Sequence, residues 1–299
     1  MIESATRDLL VMLTAPFYVI LISAELLISR LENKKLYSWK DSFHNLCMML
    51  VSSGLEVLVL TLFGFYLLHF SYQFRFFSIE NVWVYWIVLY LAEDLIFYLL
   101  HYLEHSSRFF WAIHVTHHSS ENFNLSVGFR SSAFEPLIRF IFFMPLGFMG
   151  FKAADILLMY SITQILGLLS HTQYFKNLGF LEYILATPSN HRVHHGSNTK
   201  YLDKNMGMTI MLWDMLFKTF QRELPEEPVH YGLTSSVSQN HPGEILFHEW
   251  KNIAHDLKRN DIDWITKLKY VFYAPGWSHD GSRKTSKQLQ QEEMVFSEV

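Results

Sequence analysis

The chain has 299 residues, half of them hydrophobic and 16% aromatic, with only 17% charged and a mean hydropathy of +0.12. That balance points to a membrane rather than the cytosol, and a formal net charge of −4 gives no basic surface for nucleic acid. Cys47 is the single cysteine, which excludes an intramolecular disulfide and a thiolate metal site and leaves nitrogen and oxygen ligands.

Leu9 to Ile28 is long enough to cross a bilayer as a helix, and without a basic leader or a small-residue cleavage site it reads as a retained anchor. Glu25 falls near its end, where snorkelling or a polar interface can tolerate a carboxylate. A short loop with Arg30, Lys34, Lys35 and Lys40 follows. Leu46 to Phe70 is a second expected span, with Glu56 inside it as a functional or helix-packing residue. Val82 to Leu100 is a third, delivering Glu93, Asp94 and then His101 at its end. Leu137 to Phe151 and Ala154 to Ser170 are apolar but short, broken near Gly150, Lys152 and Asp155, which fits a tilted or re-entrant hairpin as well as two crossings. An even number of passes puts the basic loop and both His-rich regions on one face, and the positive-inside rule makes that face cytoplasmic. From about Gln221 the chain turns soluble in character: Pro225 and Pro228 break the preceding helix, Gly243 to Arg259 and Ile262 to Phe272 read as amphipathic helices, and a polar tail starts at Gly281.

Histidines dominate the chemistry. His101 and His105 lie four apart, His114, His117 and His118 form an HxxHH cluster, and His191, His194 and His195 form another. On a helix, positions i, i+3 and i+4 share a face, so each cluster aims its imidazoles one way. One HxxxH alone is more often coincidence than ligation; two HxxHH clusters and an HxxxH beside apolar spans favour a transition-metal site. Asp94 shares a helical face with 98, 101 and 105 and is a candidate to accept the second N–H of an imidazole, against an equal case for a plain interfacial carboxylate. Glu121, four after His117, is a candidate ligand or supporting group, although a loop charge is the commoner role. Asn190, Asn198, Asp203 and Asn205 crowd the last cluster as further supporting candidates. A lone His171 at a membrane interface is usually structural. His241 opens an HPGE that matches a haem-binding motif only by accident, and His248 and His255 fit a solvated helix face.

The segments EDLIFYLLHYLEH, FFWAIHVTHHSSENFNLSVGFR, SHTQYFKNLGFLEYILATPSNHRVHHGSNTKYLDKNMG, WDMLFKTFQRE and YAPGW, covering about residues 90 to 277, are similar to the fatty acid hydroxylase superfamily of membrane di-iron enzymes. The likeness runs closer to its alkylglycerol monooxygenase-like branch. The resemblance implies an all-α integral membrane protein with four to five membrane-embedded helices and a cytoplasmic helical cap carrying a His-rich dimetal site. It divides the chain into N-terminal membrane helices (1–90), a His-box core with a membrane hairpin (91–220) and a cytoplasmic helical C-terminal region (221–299). It implies O2-dependent hydroxylation or desaturation of a lipid C–H bond, and it raises His171, in the matching SHT segment, to a ligand. The implied ligand set is His101, His105, His114, His117, His118, His171, His191, His194 and His195, holding two iron ions. Electrons come from a separate protein or a small reductant, with tetrahydropterin as the branch's own donor. The expected site is the inner membrane of a bacterium or the endoplasmic reticulum of a eukaryote. Three positions depart from the pattern: Ser106 where the alkylglycerol enzymes carry glutamate, Asn190 where many relatives have histidine, and Met206 for a common aromatic. The first removes a carboxylate beside a ligand and implies weaker dependence on the pterin. A metal transporter or store, and a zinc-loaded hydrolase, are the rival readings.

Overall fold

Apolar side chains face outward along much of this molecule, which is the first sign of where lipid lies. The structure, a computed structural model, describes residues 2–235, 237, 238 and 240–297, with side chains described from residue 16 to 295. α1 (Ile2–Leu31) contains the expected first span, of which the side chains of residues 9 to 15 fall outside the described ones. α2 (Trp39–Val59) passes through a π-helical turn at Leu60–Gly64 into α3 (Phe65–Gln73). The second apolar run is therefore helical over 35 residues, Trp39–Gln73, longer at both ends than its hydropathy suggests. α4 (Val82–Ser106) starts where Asn81 caps the amides of Trp83 and Val84, and it continues without a break through His101 and His105. The most apolar windows of these two helical runs are only 17% and 22% buried. A core helix of a soluble protein hides such surface, so these two faces belong against acyl chains. The protein is a membrane protein.

Among the described residues there is no β-strand, only isolated bridges at Leu185–Ile210 and Gly196–Tyr231. α5 (Arg108–His118) folds back on α4 after Ser107. α6 (Glu135–Phe148) and α7 (Ala153–Leu169) form the short apolar hairpin. Its turn uses Gly150 at φ +104°, a conformation that disfavours any side chain, and a Cβ there would also strike the Phe77 carbonyl. Phe140, Phe143, Leu146, Leu68, Leu89 and Ile156 pack between α3, α4, α6 and α7 as the core beneath the histidines. Tyr18 ties α1 to this core by donating to the Ile165 carbonyl at 3.0 Å.

Of the two carboxylates in the apolar N-terminal runs, Glu25 needs a different account from the one its sequence position suggests, and Glu56 takes the helix-packing role. Glu25 does not snorkel: it is 5% exposed and accepts from Tyr37, from the Leu125 amide and from Thr172. Glu56 packs helices, pairing with Arg139 of α6 at 3.2 Å.

α8 (Pro188–His194) starts at a Thr187 cap with Pro188 in its first turn, and α9 (Leu212–Phe217) ends at Lys218 in the left-handed conformation. That stop lies well before Pro225, so the prolines do not terminate the helix as expected. α10 (Pro242–Leu257) and α11 (Trp264–Phe272) fall where the amphipathic patterns put them, and α12 (Ser286–Ser297) gives the polar tail a helix. His241 caps α10 by accepting the Gly243 amide on Nδ1 at 3.0 Å, which explains HPGE as a helix start.

The C-terminal helices are fastened to α5 through charge. Arg108, nearly buried, donates to Glu249 and Asp256 at 2.6 Å each, and Arg283 also binds Asp256. Burial alone raises the Asp256 carboxyl, but the hydrogen bonds from Arg283 and Arg108 outweigh it and hold the group below its ordinary value. A depressed carboxyl contributes its stability in full above the unfolded value of about 3.9 and loses it as pH falls through the lower folded one. Asp256→Ala leaves Arg108 buried with one carboxylate fewer and is expected to destabilise by about 3 kcal/mol at neutral pH. The gap between variant and parent should close below pH ~3.9 as Asp256 of the parent is itself protonated. Thermal melts in detergent across pH check both.

Candidate metal centre

Each His segment reaches the centre by a different local device. α4 places His101 and His105 on one face, and α5 places His114, His117 and His118 one turn apart. The α5 end is held by Arg130, fully buried, which donates to the Thr116 carbonyl, to Ser119 Oγ and to Asp41 and Asn45 of α2. His171 follows α7, and its neighbour Thr172 bonds to Glu25. α8 and the residue after it bring His191, His194 and His195.

These nine imidazoles meet in two groups, within each of which one ligand nitrogen per residue lies within 4.8 Å of the others. One is His101, His105, His114, His118 and His194; the other is His117, His171, His191 and His195. The groups touch: the His118 and His195 rings stack with centroids 4.5 Å apart.

The ring nitrogens facing away from the centre are anchored. His101 Nδ1 donates to the Met206 carbonyl at 2.8 Å, His194 Nδ1 to the Lys204 carbonyl at 2.9 Å, and His171 Nδ1 to the Gly167 carbonyl at 3.1 Å. A carbonyl only accepts, so each of these rings carries its proton on Nδ1 and turns a bare Nε2 inward. His105 Nδ1 meets the Asp203 carboxylate at 3.2 Å. Inward, His101 Nε2 lies 3.0 Å from His114 Nε2, and His171 Nε2 lies 2.9 Å from His191 Nε2. The Nε2 atoms of His105 and His194 are buried without any hydrogen-bond partner. Crowded lone pairs and orphaned acceptors in a dry pocket are costly unless a cation sits among them. The donor set therefore fits a transition metal, which neutral imidazoles bind well. Burial keeps these rings neutral: it pushes His117 down to about 3 and His171 to about 4, and neighbouring imidazoles add to it at His114, His191, His194 and His195.

The supporting candidates divide. Asp203 alone touches an imidazole. Asp94 does not reach His101: its carboxylate accepts the Thr209 amide at 3.1 Å, the Thr209 hydroxyl and Trp213 Nε1 at 3.0 Å, so it fixes the 206–213 loop while Met206 takes the His101 proton. Glu121 is exposed and packs by Gly232, outside both groups. Asn190 and Asn205 brace the loop behind the last cluster through backbone: Asn205 donates to the Asn190 and Gln221 carbonyls, and Asn190 to those of Glu182 and Leu185. Asn198 bonds to the Pro228 carbonyl.

Three contributors escaped the sequence reading. Carbonyl anchors carry no side-chain signal. Asp214, buried, accepts the amides of Met206 and Gly207 at 2.7 Å each and so shapes the loop that holds His101. Glu104, inside the HYLEH box, is buried with Oε2 3.3 Å from His114 Nδ1.

Beside the histidines lies a cavity of about 500 Å³, lined by His105, His118, His194 and His195 on one side and by Arg108, Asn252, His248 and Lys284 on the other. His248, expected on a solvated face, lies on this wall.

A family model described as fatty acid hydroxylase matches residues 86–219, a span holding every one of these histidines. Over these residues the chain is similar to the fatty acid hydroxylase superfamily. It is 35% identical over 208 residues to alkylglycerol monooxygenase of Homo sapiens, covering 69% of this chain and 45% of that protein. Against the alkylglycerol monooxygenase of Caenorhabditis elegans it is 29% identical over 279 residues, 90% of this chain and 53% of the relative. It is 27% identical over 143 residues to an ornithine lipid hydroxylase of Rhizobium tropici, 48% of this chain and 43% of that one. The chain thus spans about half the length of the curated relatives it matches. No solved structure is a significant match.

Removing one inward nitrogen opens a gap that water cannot fill as well. His118→Ala and His194→Ala are each expected to lower metal content to half or less of the parent's, whereas His241→Ala, at a helix cap, should retain it. Metal analysis of detergent-purified protein measures this, and equal loss in all three would point to a general histidine effect.

Proposed function

We propose that this protein is a membrane di-iron oxygenase that hydroxylates, or desaturates, a C–H bond of a lipid with O2. The convergence of nine imidazoles into two adjoining groups carries the reading, with the match to the fatty acid hydroxylase family behind it. These two groups would hold two irons, which would supply O2 activation at an unactivated C–H bond. In hydroxylation one oxygen atom enters the C–H bond and the other leaves as water, with two electrons and two protons from an external donor. The chain's own part is to orient the imidazoles, four of them through Nδ1 contacts at His101, His105, His171 and His194, and to admit the reactants. The apolar outer faces of α2, α3 and α4 bring the acyl chain to the level of His101, while the polar cavity suits a headgroup or a soluble reductant.

The proposal includes a multi-pass topology built from α1, α2–α3, α4 and the α6–α7 hairpin, with the C-terminal helices as a cap on the cytoplasmic face beside the basic 30–40 loop, supported by the apolar runs and the positive-inside rule. A transporter needs ligands spaced along a path through the bilayer, and these histidines gather at one level. Cleavage of an alkylglycerol ether with tetrahydropterin is the second reading, favoured by the relatives' names. Ser106, which only approaches the Leu103 carbonyl at 3.5 Å, puts no carboxylate where those enzymes have one, and this favours a ferredoxin or cytochrome-type donor.

Purified protein is expected to hold about two irons per chain and to place ¹⁸O from ¹⁸O2 in a lipid product; zinc-only protein with hydrolytic products would refute the oxygenase. Turnover with a reductase–ferredoxin pair should exceed that with tetrahydropterin, and robust ether cleavage on pterin alone would restore the second reading. Accessibility tags after Glu121 and after Ser197 should both report the cytoplasm; tags on opposite sides would break the single-centre model.

A further inference from the structure

Among the described buried carboxylates, Asp94 and Asp214 have partners on both oxygens, whereas Glu93, Glu104 and Glu182 each keep one oxygen without a hydrogen-bond partner, and of these three Glu104 is the one that lies against an imidazole of the centre. Asp94 accepts three hydrogen bonds from the 209–213 loop, and Asp214 accepts the amides of Met206 and Gly207 and the Thr219 hydroxyl. Glu104 is equally hidden, at 3% exposure, yet its Oε1 has no hydrogen-bond partner. Among the described residues its ion-pair contact is His114 Nδ1, 3.3 Å from Oε2. The contact is long for a charge-assisted hydrogen bond, so neither group is satisfied by the other alone.

His114 in turn faces inward with Nε2, 3.0 Å from His101 Nε2 and 3.1 Å from His118 Nε2. A lone carboxylate in such a place is costly. A cation among the imidazoles offsets that cost, and the carboxylate repays it by fixing the ring's tautomer and raising the basicity of the ligating nitrogen. The placement is local: Glu104 lies one helical turn after His101 on α4, and α5 returns directly across it.

We propose that Glu104 is the positioning residue of the five-histidine group, orienting His114 and supplying negative charge behind it. This rests on the metal-centre reading above. The test is titration of Co²⁺ into metal-free, detergent-solubilised full chain, following binding and the ligand-field absorption. Glu104→Gln keeps shape and hydrogen-bond acceptance but removes charge, and Glu104→Ala removes all three. Affinity for one of the bound ions is expected to fall about 10-fold in the first and about 100-fold in the second, with an altered cobalt spectrum. Glu104→Asp, which keeps the charge, should bind better than Glu104→Ala. Parent-like affinity and spectrum in Glu104→Gln would overturn the proposal and leave Glu104 as packing, whatever Glu104→Ala does to stability. If the parent chain and His114→Ala bind cobalt equally poorly, the metal-centre reading itself fails, and the positioning role falls with it.

Discussion

Nine imidazoles packed edge to face, with their lone pairs turned toward one another, form an arrangement that a polypeptide does not adopt for its own stability. Several of the rings are held there by something behind them. For His101, His171 and His194 that something is a backbone carbonyl. The carbonyls are in turn held by buried side chains: Asp214 fixes the 206–207 amides, Asn205 closes the loop onto Gln221, and Asp94 grips Thr209 and Trp213. The loop around the centre is therefore held by buried polar contacts of Asp214, Asn205 and Asp94, which fix the carbonyls that orient His101 and His194.

Lipid on one side and polar protein on the other explain the rest of the architecture. α2, α3 and α4 leave apolar surface outside and send polar residues inward, the reverse of a soluble bundle. Arg139 shows the consequence. Buried between α6, α2 and α7, it binds Glu135, Glu56 and Tyr160 at once, because a guanidinium at that depth needs every partner within reach.

Much of this was legible in the sequence, and the reason is periodicity. The HxxxH and HxxHH spacings are helical spacings, and α4, α5 and α8 are helices there. The apolar runs located the helices, though Trp39–Gln73 runs past the hydropathy at each end because helical hydrogen bonding continues into the flanking residues. What failed were inferences about what a side chain touches across the fold. Asp94 has the right phase to support His101, yet a loop more than a hundred residues later claims it, and phase on one helix says nothing of that loop. Glu25 looked like an interfacial charge because its partners, Leu125 and Thr172, are equally remote.

Glu104 was missed for the opposite reason. It sits between two histidines that draw all the attention, and a glutamate on a helix end has an ordinary explanation as surface charge. Only the return of α5 turns that position inward, since Arg108 is pinned to Asp256 and Glu249 and the hairpin after Ser107 cannot open. The ion-pair cluster that fastens the C-terminal helices therefore does more than close the cap. By fixing the start of α5, it sets the register of His114, His117 and His118 against α4, and so it couples the C-terminal helices to the geometry of the centre.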